Sequence, residues 1–282
     1  MAEIKDRILP VGIQSFEEIR KKGYLYVDKT DIIWQLANRG RKYNYLNRPR
    51  RFGKSVLVDT LQAYFEGRKE LFEGLKIMDL ETEWTKHPVI RLDMSRAGSS
   101  AHELNAYLNQ AFKEYEQKYS IEASPANTLS NRFDAIIQSA YQQTGQQVVI
   151  LVEGYDSPLL NSWNTPHHEE CVSIYLNVFT ILKADDEYEE FVLITGTTKF
   201  TKLSLFSGLN NLSNISFEPE YAAICGITKE ELQNDFKPEI EKLADYENWT
   251  FDEAVAQLQA YYDGYHFSRK NMVDVFNPFS LI

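Results

Sequence analysis

The chain has 282 residues, of which 43% are hydrophobic and 25% charged, as expected for a soluble globular protein of one large or two modest domains. No apolar run reaches the length needed to cross a bilayer, the N-terminus lacks the apolar core of a signal peptide, and the two cysteines lie far apart. These features predict a cytoplasmic protein without a disulfide or zinc framework, and the net charge of −11 argues against a surface that coats nucleic acid.

The first forty residues (1–40) are predicted to form an extension that packs on the domain after it. A short helix is expected over residues 15–22, where Ser15 has the position of an N-cap and Glu18 follows three residues later. An extended run then leads into a second helix, which Asp28-Lys29-Thr30 opens.

Residues 41–217 show the alternation of strands and helices that is typical of a parallel sheet covered by helices on both faces. The strand-like runs are short, apolar and rich in β-branched residues, so we predict an α/β domain over this range. The predicted strands are Tyr43–Leu46, Val89–Asp93, Gln147–Val152 and Phe191–Thr195, with a short fifth strand at Ile215–Phe217. The predicted helices lie near Val56–Glu66, Ala101–Tyr119, Leu129–Thr144 and Cys171–Lys183.

The chain changes character after residue 217. Twelve acidic residues and only three lysines occur between Glu218 and Asp263. Thr228 and Thr250 each precede a glutamate by three residues, which is the spacing of a capping box at the start of a helix. We predict a small acidic helical subdomain over residues 218–282, and we expect the natural protein to continue into a further C-terminal domain.

The most informative segment is Asn47-Arg-Pro-Arg-Arg-Phe-Gly-Lys-Ser55, which joins the first predicted strand to a helix. Strand, turn, Gly-Lys-Ser and helix are the layout of a phosphate-binding P-loop. Backbone N–H groups at the helix start would face the phosphates of ATP, Lys54 would reach the β- and γ-phosphates, and Ser55 would place its hydroxyl on Mg²⁺. The strict pattern asks for glycine where Arg48 stands, and a basic turn capped by a glycine is the alternative. The predicted nucleotide-binding residues are Arg48, Pro49, Arg50, Arg51, Phe52, Gly53, Lys54, Ser55 and Val56.

A basic island surrounds this segment in an otherwise acidic chain. No acidic residue occurs between Asp31 and Asp59. Such a cluster suits a polyanionic ligand such as ATP, and a solvated basic face is the alternative for its first three members. The island consists of Arg39, Arg41, Lys42, Arg48, Arg50, Arg51 and Lys54.

A second motif follows the apolar strand that ends near Val152. A P-loop ATPase holds Mg²⁺ through a carboxylate at the end of a neighbouring strand, and a base beside that carboxylate activates the attacking water. Glu153 has the first position, with a solvated strand end as an equal alternative, whereas Gly154 has the second position and supplies no base. Asp156 is the candidate substitute, since it would point to the same side as Gly154 if the chain continued extended.

Thr195 supplies the last candidate, because its strand runs into the hydroxyl-rich turn Thr195-Gly-Thr-Thr198. The hydroxyl of Thr195, or that of Thr198, could contact the γ-phosphate as a sensor, and a strand-end cap is the alternative. The candidate catalytic residues are therefore Glu153, Asp156 and Thr195, and the candidate Mg²⁺ ligands are Ser55 and Glu153.

With these motifs in place, the chain resembles the bacterial and archaeal AAA-ATPase-like family, whose members often carry a C-terminal PD-(D/E)XK nuclease-like domain. Matching blocks occur in order along nearly the whole chain, and an arginine in place of the first P-loop glycine is typical of that family. The blocks are Leu9–Phe16, Tyr26–Thr30, Arg48–Ser55, Ala63–Gly67, Tyr155-Asp156, Thr195-Gly196, Lys199-Phe200, Leu205–Asn211, Tyr221-Ala222, Tyr262–Tyr265 and Asn277–Ser280.

The resemblance implies a P-loop NTPase fold with a RecA- or AAA-like parallel sheet of about five strands, in which the P-loop strand lies between its neighbours. It also implies ATP and Mg²⁺ as ligands. Where the family has Asp-Glu-Tyr-Asp, this chain has Glu153-Gly154-Tyr155-Asp156, which leaves nucleotide binding intact and puts hydrolysis in doubt. The nuclease-like domain is absent from these 282 residues, so no nuclease activity can be assigned to this chain, and nucleic acid could be a partner through that domain.

Three functions stay open on this evidence. The first is an ATP-binding module with weak hydrolysis, and the second is a nucleotide-gated interaction scaffold without significant turnover. The third is a nucleic-acid-binding module that uses the basic residues 39–51 as a phosphate clamp. Gly154 favours the second over the first, and the net acidity disfavours the third.

Overall fold

The computed structural model describes residues 8–38, 41–122, 128–198, 212–262, 264–270 and 273–281. Five of its strands are β1 (Tyr43–Asn47), β2 (Val89–Asp93), β3 (Val148–Glu153), β4 (Glu189–Gly196) and β5 (Ser213–Asn214). They form one sheet in the order β2-β3-β4-β1-β5, and every pairing is parallel. The predicted α/β class is confirmed, and β1 lies between β4 and β5, as the family resemblance implies for the P-loop strand.

The central strand β3 shows why an unbroken apolar run forms a strand here. All six of its residues are buried. Successive side chains of a strand point to opposite faces, so Ile150 and Val152 join the apolar cluster on one face, and Val149 and Leu151 join the cluster on the other. Burial on both faces is typical of parallel sheets flanked by helices.

Helices cover both faces of the sheet. The first cluster packs α4 (Ala101–Lys118), α5 (Leu129–Thr144) and α7 (His168–Phe179) against one face. The second cluster packs α1 (Phe16–Lys22), α2 (Thr30–Asn38) and α3 (Lys54–Phe65) against the other. Two short helices, α6 (Ser157–Asn161) and α8 (Ile181–Ala184), complete this part of the chain.

The last part of the chain is largely helical, with a small sheet. Its helices are α9 (Lys229–Asp235), α10 (Lys237–Glu247), α11 (Phe251–Tyr262) and α12 (Pro278–Leu281). The capping boxes predicted at Thr228 and Thr250 are confirmed, because each hydroxyl accepts the backbone N–H three residues later and each glutamate accepts the threonine N–H. The strands β6 (Ile227–Thr228), β7 (Tyr265–His266) and β8 (Asp274–Phe276) form an antiparallel sheet in the order β6-β8-β7.

The fifth strand of the main sheet lies earlier than predicted. It was expected at residues 215–217, whereas β5 spans Ser213–Asn214. The ladder ends because the Ser216 N–H donates to the Asn214 side chain at 3.2 Å, and the Glu218 N–H then closes a turn onto the Ile215 carbonyl at 3.3 Å. Local side-chain hydrogen bonding of this kind competes with strand pairing.

Two of the family-like blocks, Lys199-Phe200 and Leu205–Asn211, lie outside the described residues, as does Arg39 of the basic island. Within the described part of the chain, no helix has the length and apolar character that crossing a membrane requires.

Glu189, at the start of β4, is a fully buried carboxyl group. Tyr43 Oη donates to Glu189 Oε2 at 2.6 Å, while Glu189 Oε1 has no hydrogen-bond partner among the described residues. Burial, reinforced by the neighbouring Asp185 carboxyl, raises the pKa of Glu189 to about 8. A carboxyl group with a raised pKa contributes stability that is complete below its unfolded-state pKa and is lost as the pH rises toward 8.

We therefore expect Glu189→Gln to change how stability depends on pH. Between roughly pH 5 and 8, Glu189 of the parent should be ionised in the unfolded chain and protonated in the folded protein, so the free energy of unfolding should fall as the pH rises. The variant keeps the shape of the side chain without its charge, so its stability should exceed that of the parent increasingly as the pH rises. Urea unfolding at several pH values measures this, with Glu190→Gln as the control; parallel pH profiles for parent and Glu189→Gln would refute the prediction.

Candidate functional site

Gly53 joins the predicted phosphate loop to the helix after it. β1 ends at Asn47 and α3 starts at Lys54. Gly53 has φ +86°, a left-handed conformation that glycine adopts without steric cost, and its carbonyl accepts the Leu57 N–H at 3.0 Å. The first turn of α3 therefore directs N–H groups without intrahelical partners, and the positive end of the helix dipole, toward the loop. This arrangement favours an anionic ligand.

Lys54 lies across the loop. Its Nζ donates to the carbonyl oxygens of Arg48 at 2.8 Å and Pro49 at 2.7 Å. Burial lowers the pKa of the Lys54 ammonium group, because an enclosed charge loses hydration. A negatively charged ligand at this position would offset that loss, so the electrostatics of Lys54 suit phosphate.

Ser55 and Glu153, the two predicted metal ligands, lie in direct contact. Ser55 Oγ donates to Glu153 Oε1, which joins the first turn of α3 to the carboxyl end of β3. The second oxygen of the same carboxylate, Oε2, accepts from Arg91 Nη2 at 3.1 Å. Glu153 is therefore a buried group oriented toward the loop and not a solvated strand end.

This donor set fits Mg²⁺. A serine hydroxyl and a carboxylate are hard oxygen ligands, and Mg²⁺ commonly takes one or two protein ligands together with substrate phosphates. Among the described residues, no group of three or more His, Cys, Asp or Glu side chains forms an all-protein metal cage. Ser55 and Glu153 would thus hold Mg²⁺ only in combination with the phosphates of a nucleotide.

Gly154 and Asp156 do not follow the predicted extended path. Gly154 has φ +60° and Asp156 is in a helical conformation at the start of α6, so the extended chain on which the expected common orientation depended is not present. Asp156 Oδ2 instead accepts from Thr197 N at 2.8 Å, Thr197 Oγ1 at 2.6 Å and Thr198 N at 2.7 Å. Asp156 thereby holds the turn after β4, and its part in activating water stays a prediction.

Thr195 is also directed into the sheet. It is fully buried, its Oγ1 lies 3.5 Å from the Val152 carbonyl, and its own carbonyl accepts the Tyr155 N–H at 3.0 Å. This geometry is that of a residue that holds two strand ends together. A contact between Thr195 and a γ-phosphate stays a prediction.

Arg48 stands at the first glycine position of the motif, and its side chain is turned away from the loop. The guanidinium is 1% exposed, donates to the carbonyls of Ser216 and Tyr221 at 2.8 Å each, and lies over the Phe267 ring at 4.0 Å. It also donates to the Asn47 carbonyl at 2.9 Å. The Arg48 side chain therefore fixes the loop to later parts of the chain. Its backbone N–H donates to the Gly196 carbonyl at 3.1 Å, so a contact between Arg48 and phosphate stays a prediction.

The remaining loop residues include two exposed arginines and one buried aromatic residue. Arg50 and Arg51 are both exposed, and the Arg51 guanidinium lies over the Phe279 ring at 3.9 Å. Phe52 is fully buried and packs edge-on against Tyr265, with ring centroids 4.8 Å apart. These two contacts, with Phe279 and Tyr265, help to hold the loop, which lacks the first glycine of the strict pattern.

A cavity of about 390 Å³ lies beside the loop. Its walls come from residues 10–14, from residues 51–57 of the loop and α3, and from residues 224–227 with α12. Most of these side chains are aliphatic or aromatic. A polar exception is Lys29, whose Nζ is paired with Glu231 at 2.5 Å. Cavities of a few hundred cubic ångströms with apolar walls and a few polar groups are typical of small-molecule sites.

One residue of this site, Arg91, was not predicted from the sequence. It lies in the middle of β2, the neighbour of β3, and its guanidinium contacts both Glu153 and Asp59. A basic residue inside an otherwise apolar strand was the available signal. Its use required the strand order, because only the pairing of β2 with β3 brings Arg91 to Glu153.

Comparison with known proteins gives the family. The family model described as "Predicted AAA-ATPase" matches residues 10–206, which include the loop, Glu153 and Thr195. The "Uncharacterized protein in vnfD 5'region" of Azotobacter chroococcum mcd 1 is 36% identical over 278 residues, which cover 97% of this chain and 51% of that relative. This chain thus spans about half the length of the curated relative that it matches. The protein belongs to the AAA-ATPase-like family of predicted AAA-ATPases.

Proposed function

We propose that this protein binds ATP together with Mg²⁺ at the start of α3 and hydrolyses it slowly. The hydrogen bond from Ser55 to Glu153 carries the proposal, because it joins the Gly-Lys-Ser turn to a carboxylate on the neighbouring strand β3. Lys54 adds a positive charge above the loop, and the first turn of α3 adds N–H donors. The phosphates would lie at this turn, and the cavity of about 390 Å³ would hold the nucleoside.

Bound Mg²⁺ would supply charge that offsets the negative charge on the β- and γ-phosphates. The chain's own residues have separate parts. Ser55 and Glu153 would orient the ligand, Lys54 would bind the phosphates, and the buried side chains around the loop would limit the access of water. A nucleotide-gated scaffold is the second candidate, because Gly154 carries no side chain and the Asp156 carboxylate is held by the turn after β4.

Equilibrium binding and turnover measured on the same preparation test the proposal. We expect ATP to bind more tightly in the presence of Mg²⁺ than in EDTA, and we expect hydrolysis well below about 1 s⁻¹, the lower end of typical enzymatic rates. Binding without detectable turnover would favour the scaffold. If ATP binds neither in the presence of Mg²⁺ nor in EDTA, the proposed function is wrong.

Gly154→Glu tests whether the absent side chain limits turnover. A positioned base that activates water is worth roughly 10²–10⁴-fold in rate, so we expect Gly154→Glu to hydrolyse ATP faster than the parent, with similar ATP affinity. The matched control is Gly154→Ala. Both variants place a side chain at φ +60°, which costs about 1–2 kcal/mol, so only the carboxylate distinguishes them. Equal rates for the glutamate and alanine variants would show that the missing base is not the reason for slow turnover.

A further inference from the structure

Arg91 links the candidate metal carboxylate to helix α3. Its Nη2 donates to Glu153 Oε2 at 3.1 Å, and its Nη1 donates to Asp59 Oδ1 at 2.6 Å. Its Nη1 also lies 3.1 Å from Gln62 Oε1. The Arg91 side chain is 25% exposed, so solvent screens these contacts only in part.

The two carboxylate oxygens of Glu153 therefore accept hydrogen bonds from two different residues. Oε1 faces Ser55, the other candidate metal ligand, and Oε2 faces a guanidinium with a permanent positive charge. A cation held between Ser55 and Glu153 would lie close to that charge. The repulsion between Arg91 and a divalent ion would weaken metal binding, because the low local dielectric strengthens interactions between charges.

Asp59 competes with Glu153 for the same guanidinium. The other oxygen of Asp59, Oδ2, accepts at 2.7 Å the N–H of Phe16, which is the first residue of α1. This contact holds Asp59 in place beside Arg91. The more strongly Asp59 attracts the guanidinium, the more negative charge Glu153 retains for a metal ion.

We propose that Arg91 is a positioning residue that sets the Mg²⁺ affinity of the nucleotide site by sharing the Glu153 carboxylate, with Asp59 as its opposing partner. This inference rests on the proposed ATP-binding function. It assigns the two residues opposite effects: Arg91 weakens the binding of Mg²⁺, and Asp59 strengthens it.

The test measures the Mg²⁺ concentration that gives half of the metal-dependent gain in affinity for a non-hydrolysable ATP analogue, so the readout is binding and not activity. Arg91→Gln removes the charge and should lower this concentration roughly tenfold, as expected when one unit charge leaves the neighbourhood of a divalent ion. Asp59→Asn releases Arg91 to Glu153 and should raise it by a few-fold. Arg91→Lys keeps the charge and should stay near the parent.

The opposite signs separate this role from simple damage to the fold. Both Arg91→Gln and Asp59→Asn break the same ion pair, so a purely structural role would move the Mg²⁺ dependence of both in the same direction. If Arg91→Gln needs the same or a higher Mg²⁺ concentration than the parent for half of the gain in affinity, the inference is wrong and the proposed function still stands. Failure of the parent to bind the analogue at any Mg²⁺ concentration would overturn both.

Discussion

Arg48→Gly, which would complete the strict Gly-x-x-x-x-Gly-Lys-Ser pattern, is expected to lower the free energy of unfolding by about 2–3 kcal/mol. The substitution removes the donor of the Ser216 carbonyl, and a buried carbonyl left unsatisfied costs roughly 1–3 kcal/mol. The Tyr221 carbonyl loses one of two donors, because it also accepts the Ile224 N–H at 3.2 Å. The substitution also removes the contact between the guanidinium and the Phe267 ring. A closer match to the general motif should therefore give a less stable protein.

Urea unfolding measures this effect. Arg50→Gly is the matched control, since it adds the same backbone freedom to the same loop at an exposed position. The control should lose no more than about 1 kcal/mol, the usual cost of a glycine. Equal losses in the two variants would mean that Arg48 does not fix the loop through its buried hydrogen bonds.

Lys54→Ala is expected to abolish most ATP binding without unfolding the protein. A charge-assisted contact to phosphate is worth about 1.5–3 kcal/mol, and two such contacts would lower the affinity by roughly 100-fold or more. Within the described part of the chain, Lys54 donates to two loop carbonyls in partly buried hydrogen bonds, which water can replace, so its removal should change the melting temperature little.

Calorimetric titration of the parent and the variant with Mg·ATP checks this expectation. Lys69→Ala, which removes an exposed lysine elsewhere on the chain, serves as the control and should bind like the parent. The assignment of the loop is wrong if Lys54→Ala keeps the ATP affinity of the parent.

The local elements of the main sheet could be predicted from the sequence because their signals are local. The apolar run 89–93 and the helical pattern 129–144 match β2 and α5 residue for residue. Ser15 and Thr228 were recognised as N-caps from the glutamates three residues after them, and the structure shows these hydrogen bonds. The order of the strands is a long-range property, and the family resemblance implied only that the P-loop strand lies between two neighbours.

The roles of individual site residues were harder to predict, for the same reason. Arg48 was expected at the phosphates, but its side-chain partners lie 168 and 173 residues away along the chain. The orientation of Asp156 was considered only for an extended chain, whereas Gly154 turns the chain and Asp156 binds a turn 41 residues later. Such partners become visible only when the strands are arranged in space.

Amide hydrogen exchange across residues 49–57, with and without saturating Mg·ATP, tests most directly whether the nucleotide lies at the start of α3. The N–H groups of Lys54, Ser55 and Val56 belong to the first turn of this helix, where intrahelical acceptors are lacking. We expect ATP to slow their exchange in the parent and to leave it unchanged in Lys54→Ala. If the parent binds ATP while exchange in this segment is unaltered, the phosphates lie elsewhere and the assigned site is wrong.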